Sequence, residues 1–251
     1  LAKGVEISFA RTSFRWSNNA KRNAGVSCVI IGLSRRTRGP KRLVVDAFER
    51  EVAHINPYLV ASDNDTIVFR TESPLSERPK MNFGSKATDG GHLNFGRAER
   101  DLILDASPEA AKFIHSYIGA SEFINGTERF CLWIEDHEFD RASAIPEIAE
   151  RLDRVAEFRL RSKAKSTREF ATKPHFFKQR AHREAQAVVV PRVSSERRTY
   201  VPMGFLEAGT VASDQLYAAY GADAWLFALL QSRMHMAWLE VIGGRMESRY
   251  R

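Results

Sequence analysis

Residues 25–33, GVSCVIIGL, form an unbroken apolar run rich in β-branched side chains. The run is far too short to span a membrane and has no polar alternation, so it reads as a strand covered on both faces of its sheet. A sheet of that kind requires neighbours, and VEISFARTSFRW (5–16) supplies one just upstream. The polar turn SNNAKRN (17–23) joins the two into a hairpin that belongs to a larger sheet. The stretch that follows, SRRTRGPKR (34–42), holds five bases and no acid, and is expected as a solvated loop or a phosphate contact.

Further along, NDTIVFR (64–70) reads as a strand. Residues 81–96, MNFGSKATDGGHLNFG, contain four glycines and little periodicity, which predicts a long irregular loop of the kind that often carries function. Ser107 and Pro108 look like an N-cap and a first helical residue, predicting a helix through Phe113, Ile114 and Tyr117 to Gly119. RFCLWI (129–134) is a strand. Pro146 opens a longer helix with Ile148, Leu152, Val155 and Phe158 on one apolar face. AVVVPRV and TYVPMGF read as strands, and Pro191 and Pro202 place them at sheet edges. DAWLFALLQSRMHMAWLEVIGG (223–244) reads as one apolar helix. The fold class is therefore α+β, a mixed sheet with peripheral helices.

The charge is concentrated. Residues 159–198 hold twelve Lys/Arg against three acids, a local +9 in a chain of net +7. That points to a polyanionic partner or to a solvated basic face. No run approaches the roughly 20 apolar residues of a membrane span. The start lacks an initiator Met and a signal-peptide layout, and is expected to be internal to a longer protein. Cys28 and Cys131 lie in apolar runs and read as buried free thiols of a reducing compartment, so a cytoplasmic location is expected.

No catalytic, cofactor-binding or metal-binding residue can be assigned. A Gly-rich strand–turn–helix is missing from the sequence. Asn56-Pro57-Tyr58 is one proline short of the Asn-Pro-Pro-Tyr/Phe motif of amino-methyltransferases and reads as a turn. The acids around His137 lack the spacing of a nuclease metal site, and His235, between two methionines, reads as a packed core histidine.

The polar segments do suit nucleic acid. In PRVSSERRTYVP (191–202), Arg192, Arg197 and Arg198 only donate, Glu196 only accepts, and Ser194 and Ser195 do either. Arg suits guanine, a carboxylate suits cytosine N4, and Lys, Ser and backbone amides suit phosphates. If the flanking prolines hold this segment extended, Glu196 and Arg198 share one face and Arg197 takes the other. The base-reading candidates are therefore Glu196, Arg198, Arg197, Ser194 and Ser195. The backbone candidates are Arg161, Ser162, Lys163 and Lys165 at the basic helix end, with Lys80, Asn82 and Lys86 in the glycine-rich loop.

Several long stretches, taken in order, resemble one family. They are EISFARTSFRWSNNAKRNAGVSCVIIGLS (6–34), INPYLV (55–60), PKMNFGSKATDGGHL (79–93), YIGASEFINGTERFCLW (117–133), VSSERRTYVPMGFL (193–206) and QSRMHMAWLEVIGGRMESRYR (231–251). They are similar to the C-terminal part of MmeI-like DNA adenine methyltransferases, and the likeness covers essentially the whole chain. It implies a terminal methyltransferase hairpin (1–45), a DNA target-recognition domain (46–206) and a helical C-terminal segment (207–251). It also implies that double-stranded DNA and an upstream methyltransferase domain of the same chain are the partners, and that S-adenosylmethionine binds the parent protein but not this part. The parent would methylate adenine N6 in restriction–modification or phage defence, with Glu196 and Arg198 in the family's base-reading region. The rival expectation is a non-catalytic docking domain whose basic face binds a subunit or RNA.

Overall fold

The computed structural model describes residues 4–16, 26–36, 38–69, 71, 76–195, 197–243, 245–246 and 249–250. The chain order is β1 (Val5–Trp16), β2 (Val26–Arg35), β3 (Lys41–Val45), β4 (Phe48–Val52), β5 (Asn82–Phe83), β6 (Asn94–Phe95) and α1 (Arg97–Ala106). There follow β7 (Ile114–Ile118), α2 (Ala120–Asn125), β8 (Phe130–Leu132), α3 (Phe139–Ser143), α4 (Pro146–Leu160) and α5 (Lys165–Glu169). The last elements are β9 (Ala187–Pro191), β10 (Ser194–Ser195), β11 (Gly204–Leu206), β12 (Val211–Ala212), β13 (Leu216–Tyr220), α6 (Ala224–Leu230), α7 (Arg233–Ile242), β14 (Arg245–Met246) and β15 (Arg249–Tyr250). The α+β expectation holds. The chain divides into two compact units: Leu1–Ser73 with Ser195–Thr199 and Arg233–Arg251, and Pro74–Ser194 with Tyr200–Ser232.

In the first unit a sheet runs β2-β1-β3-β4, with β1 antiparallel to β2 and parallel to β3. Ile7, Ala10, Leu43 and Ile55 form its core. Lys41 is buried and pairs with Glu6 at 2.6 Å, so the basic run 34–42 is not wholly solvated as expected. The expected hairpin strands are both present, but β2 is an edge strand. Val29, Ile30, Ile31 and Leu33 are exposed rather than covered on both faces. The 17–23 turn lies outside the described residues. The described part of NDTIVFR, residues 64–69, is not a strand: Ile67, Val68 and Phe69 are exposed in irregular backbone, where Val68 N–H is taken by the Tyr58 hydroxyl. Asn56-Pro57-Tyr58 is a turn, as read. Asn56 Oδ1 accepts from the amides of Tyr58 and Val60, and its Nδ2 donates to Asn64 O.

The second unit has two four-stranded sheets, β11-β9-β13-β5 and β12-β7-β8-β6. A core including Phe113, Leu132, Ile134, Ile148, Leu152, Val155 and Phe177 joins the second of these to α4. The apolar spacing of α4 is met, except that Phe158 is exposed. Pro108 does start a helical turn, but a 3-10 turn of Pro108–Phe113 and not an α-helix to Gly119. There Ser107 spends its hydroxyl on Glu147 instead of capping, and Phe113 O accepts from Trp133 N–H, which draws the next residues into β7. AVVVPRV is met by β9, but TYVPMGF is irregular through Met203, with Pro202 outside any strand, and only its Gly204 and Phe205 enter β11. β11 is an edge strand as expected; β9 is interior, because Pro191 sits at its last residue, where only one ladder position is lost. The apolar segment 223–244 is two helices, interrupted where Gln231 sends its side chain to Val201 O at 3.1 Å. His235 on α7 is half-buried, and Met236 beside it is buried. Cys131 is fully buried, which pushes its thiol pKa up; Cys28 is half-buried.

His175 gives this unit a pH response. Its ring is buried, Nε2 meets Asp136 Oδ1 at 2.9 Å, and Nδ1 has no partner among the described residues. Burial lowers its pKa below the usual 6.5 and outweighs the pull of Asp136. The unfolded chain therefore takes the proton more readily, and stability is lost as pH falls from about 6.5 toward the lower folded value. Lys173 and His175 hold the Asp136 carboxyl below its usual range, which acts in the same direction at still lower pH. The melting temperature should fall between pH 7 and pH 5, and His175→Gln should flatten that slope. An unchanged slope in the variant would refute the assignment.

Candidate nucleic-acid interface

The basic stretch 159–198 separates into working parts once folded. Arg159, with which it begins, is fully buried and faces no phosphate. Its Nε donates to Thr88 O at 2.9 Å, and its Nη2 donates to Ala87 O at 2.9 Å and Phe176 O at 2.7 Å. Nη1 donates to Lys173 O at 2.6 Å and, more weakly, to Phe170 O at 3.5 Å. Burial lowers its pKa to about 10, so it stays charged at neutral pH. Arg180 lies 3.9 Å over Trp133 and pairs with Glu135. Arg168 caps the carbonyls of Ser162 and Lys163, and Lys178 donates to Ser166 and Thr167.

Exposed bases gather at the junction between α4 and α5. Arg161, Lys163 and Lys165 are exposed there, with Ser162 half-buried. Arg161 pairs with Glu157 and Lys165 with Glu169, both exposed i,i+4 pairs worth about 0–1 kcal/mol each and readily exchanged for another anion. Ser162 Oγ accepts from Ala164 N–H and opens the next helical turn. Four of the candidates thus share one surface segment.

Arg159 ties that segment to the glycine-rich loop. Its bonds to Ala87 and Thr88 arrive one and two residues after Lys86, and Arg161 lies two residues beyond Arg159. Thr88 has φ +52, and Gly90 and Gly91 are also left-handed, so the loop reverses over four residues. Asp89 closes it through Leu93 N–H at 2.6 Å and Asn94 Nδ2 at 3.2 Å. The loop is ordered rather than irregular throughout, and begins and ends in the short strands β5 and β6. Lys80, Asn82 and Lys86 are all exposed, and Lys86 reaches Asp214 at 3.6 Å.

The Ser-Ser-Glu-Arg-Arg segment is not extended as expected. Ser194 is buried in β10. After Ser195 the chain turns: Ser195 O accepts from Arg198 N–H at 3.2 Å, and Ser195 Oγ accepts from Arg197 N–H at 3.2 Å. A serine whose hydroxyl satisfies a nearby amide stabilises such a turn and competes with strand geometry. Arg197 and Arg198 are both exposed on it. The strand alternation therefore does not sort their faces. Glu196 lies outside the described residues.

Arg192, noted in the sequence as a donor but not placed among the base-reading candidates, meets Phe83 in the fold. The Arg192 guanidinium lies 4.7 Å over the Phe83 ring, and Phe83 stacks on Tyr217 at 4.8 Å. The signal, an arginine and an aromatic on neighbouring parts of one sheet, exists only once β5, β13 and β9 are assembled.

No cluster of metal-ligating side chains occurs among the described residues. Asn56, in the one stretch resembling a methyltransferase motif, is buried with both amide atoms engaged in its own turn, so it does not fit a role against a cofactor or target amine. Among the described residues no helix is long and apolar enough to cross a membrane.

Exposed basic and polar side chains at the α4–α5 junction and on the glycine-rich loop suit a polyanionic partner. The family model described as "MmeI, target recognition domain" matches residues 62–251, and "MmeI, DNA-methyltransferase domain" matches residues 1–45. The chain belongs to the MmeI family. It is 39% identical to DNA methyltransferase A of Bacillus subtilis (strain 168) over 249 residues, 99% of this chain and 28% of that protein. It is similar to the solved structure of the type IIL restriction-modification enzyme MmeI in complex with DNA, with a TM-score of 0.84 and 34% identity, over 99% of this chain and 34% of that one. The chain thus spans about a third or less of the length of these relatives.

Proposed function

We propose that this chain selects the target sequence for a bacterial adenine-N6 DNA methyltransferase of a restriction–modification or phage-defence system. S-adenosylmethionine is bound upstream of it in the full-length protein, which works in the cytoplasm. The observation that carries the reading is the similarity, along nearly the whole chain, to a structure solved with DNA. In this reading the exposed apolar side chains of β2 pack against the upstream methyltransferase sheet. Arg161, Ser162, Lys163, Lys165, Lys80, Asn82 and Lys86 hold phosphates, while Glu196, Arg197 and Arg198, with Ser194 and Ser195 shaping their turn, face the bases. Enzymes of this chemistry take the adenine out of the duplex to reach its amine, so the recognition surface must grip both flanks of the target.

The test is to express the full-length protein in a host free of adenine methylation and to sequence the modified sites. One DNA word should be methylated. Replacing Glu196 and Arg198 together by other polar residues should change that word at one position, by about 1–3 kcal/mol of discrimination. A wild-type protein that modifies no adenine would refute the function; folded, active variants that all keep the word would refute the two residues.

A further inference from the structure

We propose that Arg192 is an additional base-reading residue, its guanidinium set in advance to donate two parallel hydrogen bonds to a guanine edge; this rests on the DNA-recognition function above. Three contacts fix it. Its backbone amide donates to Gln215 O at 3.0 Å, its Nη1 donates to Asp214 O at 3.1 Å, and its Cζ lies 4.7 Å over the Phe83 ring. Phe83 is backed in turn by Tyr217, tilted 32°. The guanidinium is thus held at one corner and set against an aromatic ring, while Nε and Nη2 have no partner among the described residues.

Several other arginines of the same unit are already engaged. Arg129, Arg151, Arg154, Arg161 and Arg180 each donate to a carboxylate. Arg159 spends every donor on carbonyls. The side chain of Asp214, whose backbone carbonyl anchors Arg192, is engaged by Lys86 instead. Arg192 therefore presents an unspent fork at a surface where Phe83, 49% exposed, and Asn82 also lie open.

Fixing the guanidinium at two points, Asp214 O and the Phe83 ring, separates a base from a phosphate as the target. A phosphate can be held by a point charge from many directions, and lysine serves as well. Fixing the plane of a guanidinium matters when two coplanar acceptors must be met at once, as at guanine O6 and N7. Locking the side chain before binding also removes the rotamer entropy that a free surface arginine would lose.

The experiment uses the full-length protein with Arg192→Lys, Arg192→Gln or Phe83→Leu, each checked for folding by thermal melting and scored by sequencing methylated sites. Arg192→Lys keeps the charge and loses the planar fork. Both Arg192 variants should lose their preference for guanine at one position of the word by roughly 5- to 150-fold, with the other positions unchanged. Phe83→Leu should loosen the same position by less, since the Asp214 anchor stays. If Arg192→Gln fails to fold, the Lys and Phe83→Leu variants give the same reading. An unchanged word in folded, active Arg192 variants overturns the proposal. So does an equal loss on all sequences with a shallower salt dependence, which marks a phosphate contact. A wild-type protein that methylates nothing removes the function itself, an outcome distinct from either.

Discussion

Replacing Arg159 by methionine should be the most damaging single change in the recognition unit. Methionine keeps much of the stem volume and removes all the donors. The carbonyls of Ala87, Thr88, Lys173 and Phe176 then lose bonds of 2.6–2.9 Å at the buried guanidinium. A buried acceptor left unmade costs about 1–3 kcal/mol. Water entering the gap will recover part of that, so the expected loss is about 4 kcal/mol or more, a large share of the 5–15 kcal/mol typical of a domain. Denaturant titration of the chain measures it. Arg159→Lys should recover only a fraction, because one ammonium cannot reach carbonyls fanned over two segments. A destabilisation of under about 1 kcal/mol in Arg159→Met would sink this account of the residue.

Arg159 also marks the limit of what its segment reveals in sequence. In RLRSKAKSTR every base looks alike, and the macrodipole suits all of them. What singles out the first is its position on the buried face of α4, in step with Ile148, Leu152 and Val155, and acceptors that belong to the backbone of distant segments. Backbone carbonyls carry no residue signature, so the partner of this cation could not be read from composition. The exposed bases that follow were legible, because exposure needs no partner.

The same distinction runs through the fold. β1, β8, β9 and α4 were readable because each holds its apolar pattern within itself. The helix expected from Ser107 was wrong beyond Phe113 because strand pairing with β8 overrides a local start signal. The break at 231–232 was invisible because it follows from a glutamine reaching a carbonyl thirty residues away. At the candidate interface the residue types of the Ser-Ser-Glu-Arg-Arg segment were plain, but their facing was not. Two prolines suggested an extended strand, while Ser195 supplied the hydroxyl that closes a turn.

Gly84→Ala should produce the second large effect, and it links fold to recognition. The Gly84 amide donates to Leu216 O at 3.0 Å, and the Ser85 amide to Ala212 O at 2.7 Å, fastening β5 and the glycine-rich loop to the rest of the unit. A Cβ at Gly84 would stand 2.1 Å from Ser213 O and 2.5 Å from Ala212 O. Both atoms are backbone, so neither can swing aside, and the strand must lift. Overpacking of this kind usually costs about 1–3 kcal/mol, and here the upper end or beyond is expected because ladder bonds break with it. Gly96→Ala in the same loop is the control, since nothing lies within 4 Å of its would-be Cβ and its φ is ordinary. Melting curves of the two variants should differ by several degrees, with Gly84→Ala the lower. Lifting β5 would also shift Asn82, Phe83 and the layer on which Arg192 rests. Where the variant is still folded, at low temperature, its full-length form should methylate with a relaxed word while Gly96→Ala keeps the original. Equal melting temperatures for the two would show that the strand is not held as described, and the argument for Arg192 would lose its scaffold.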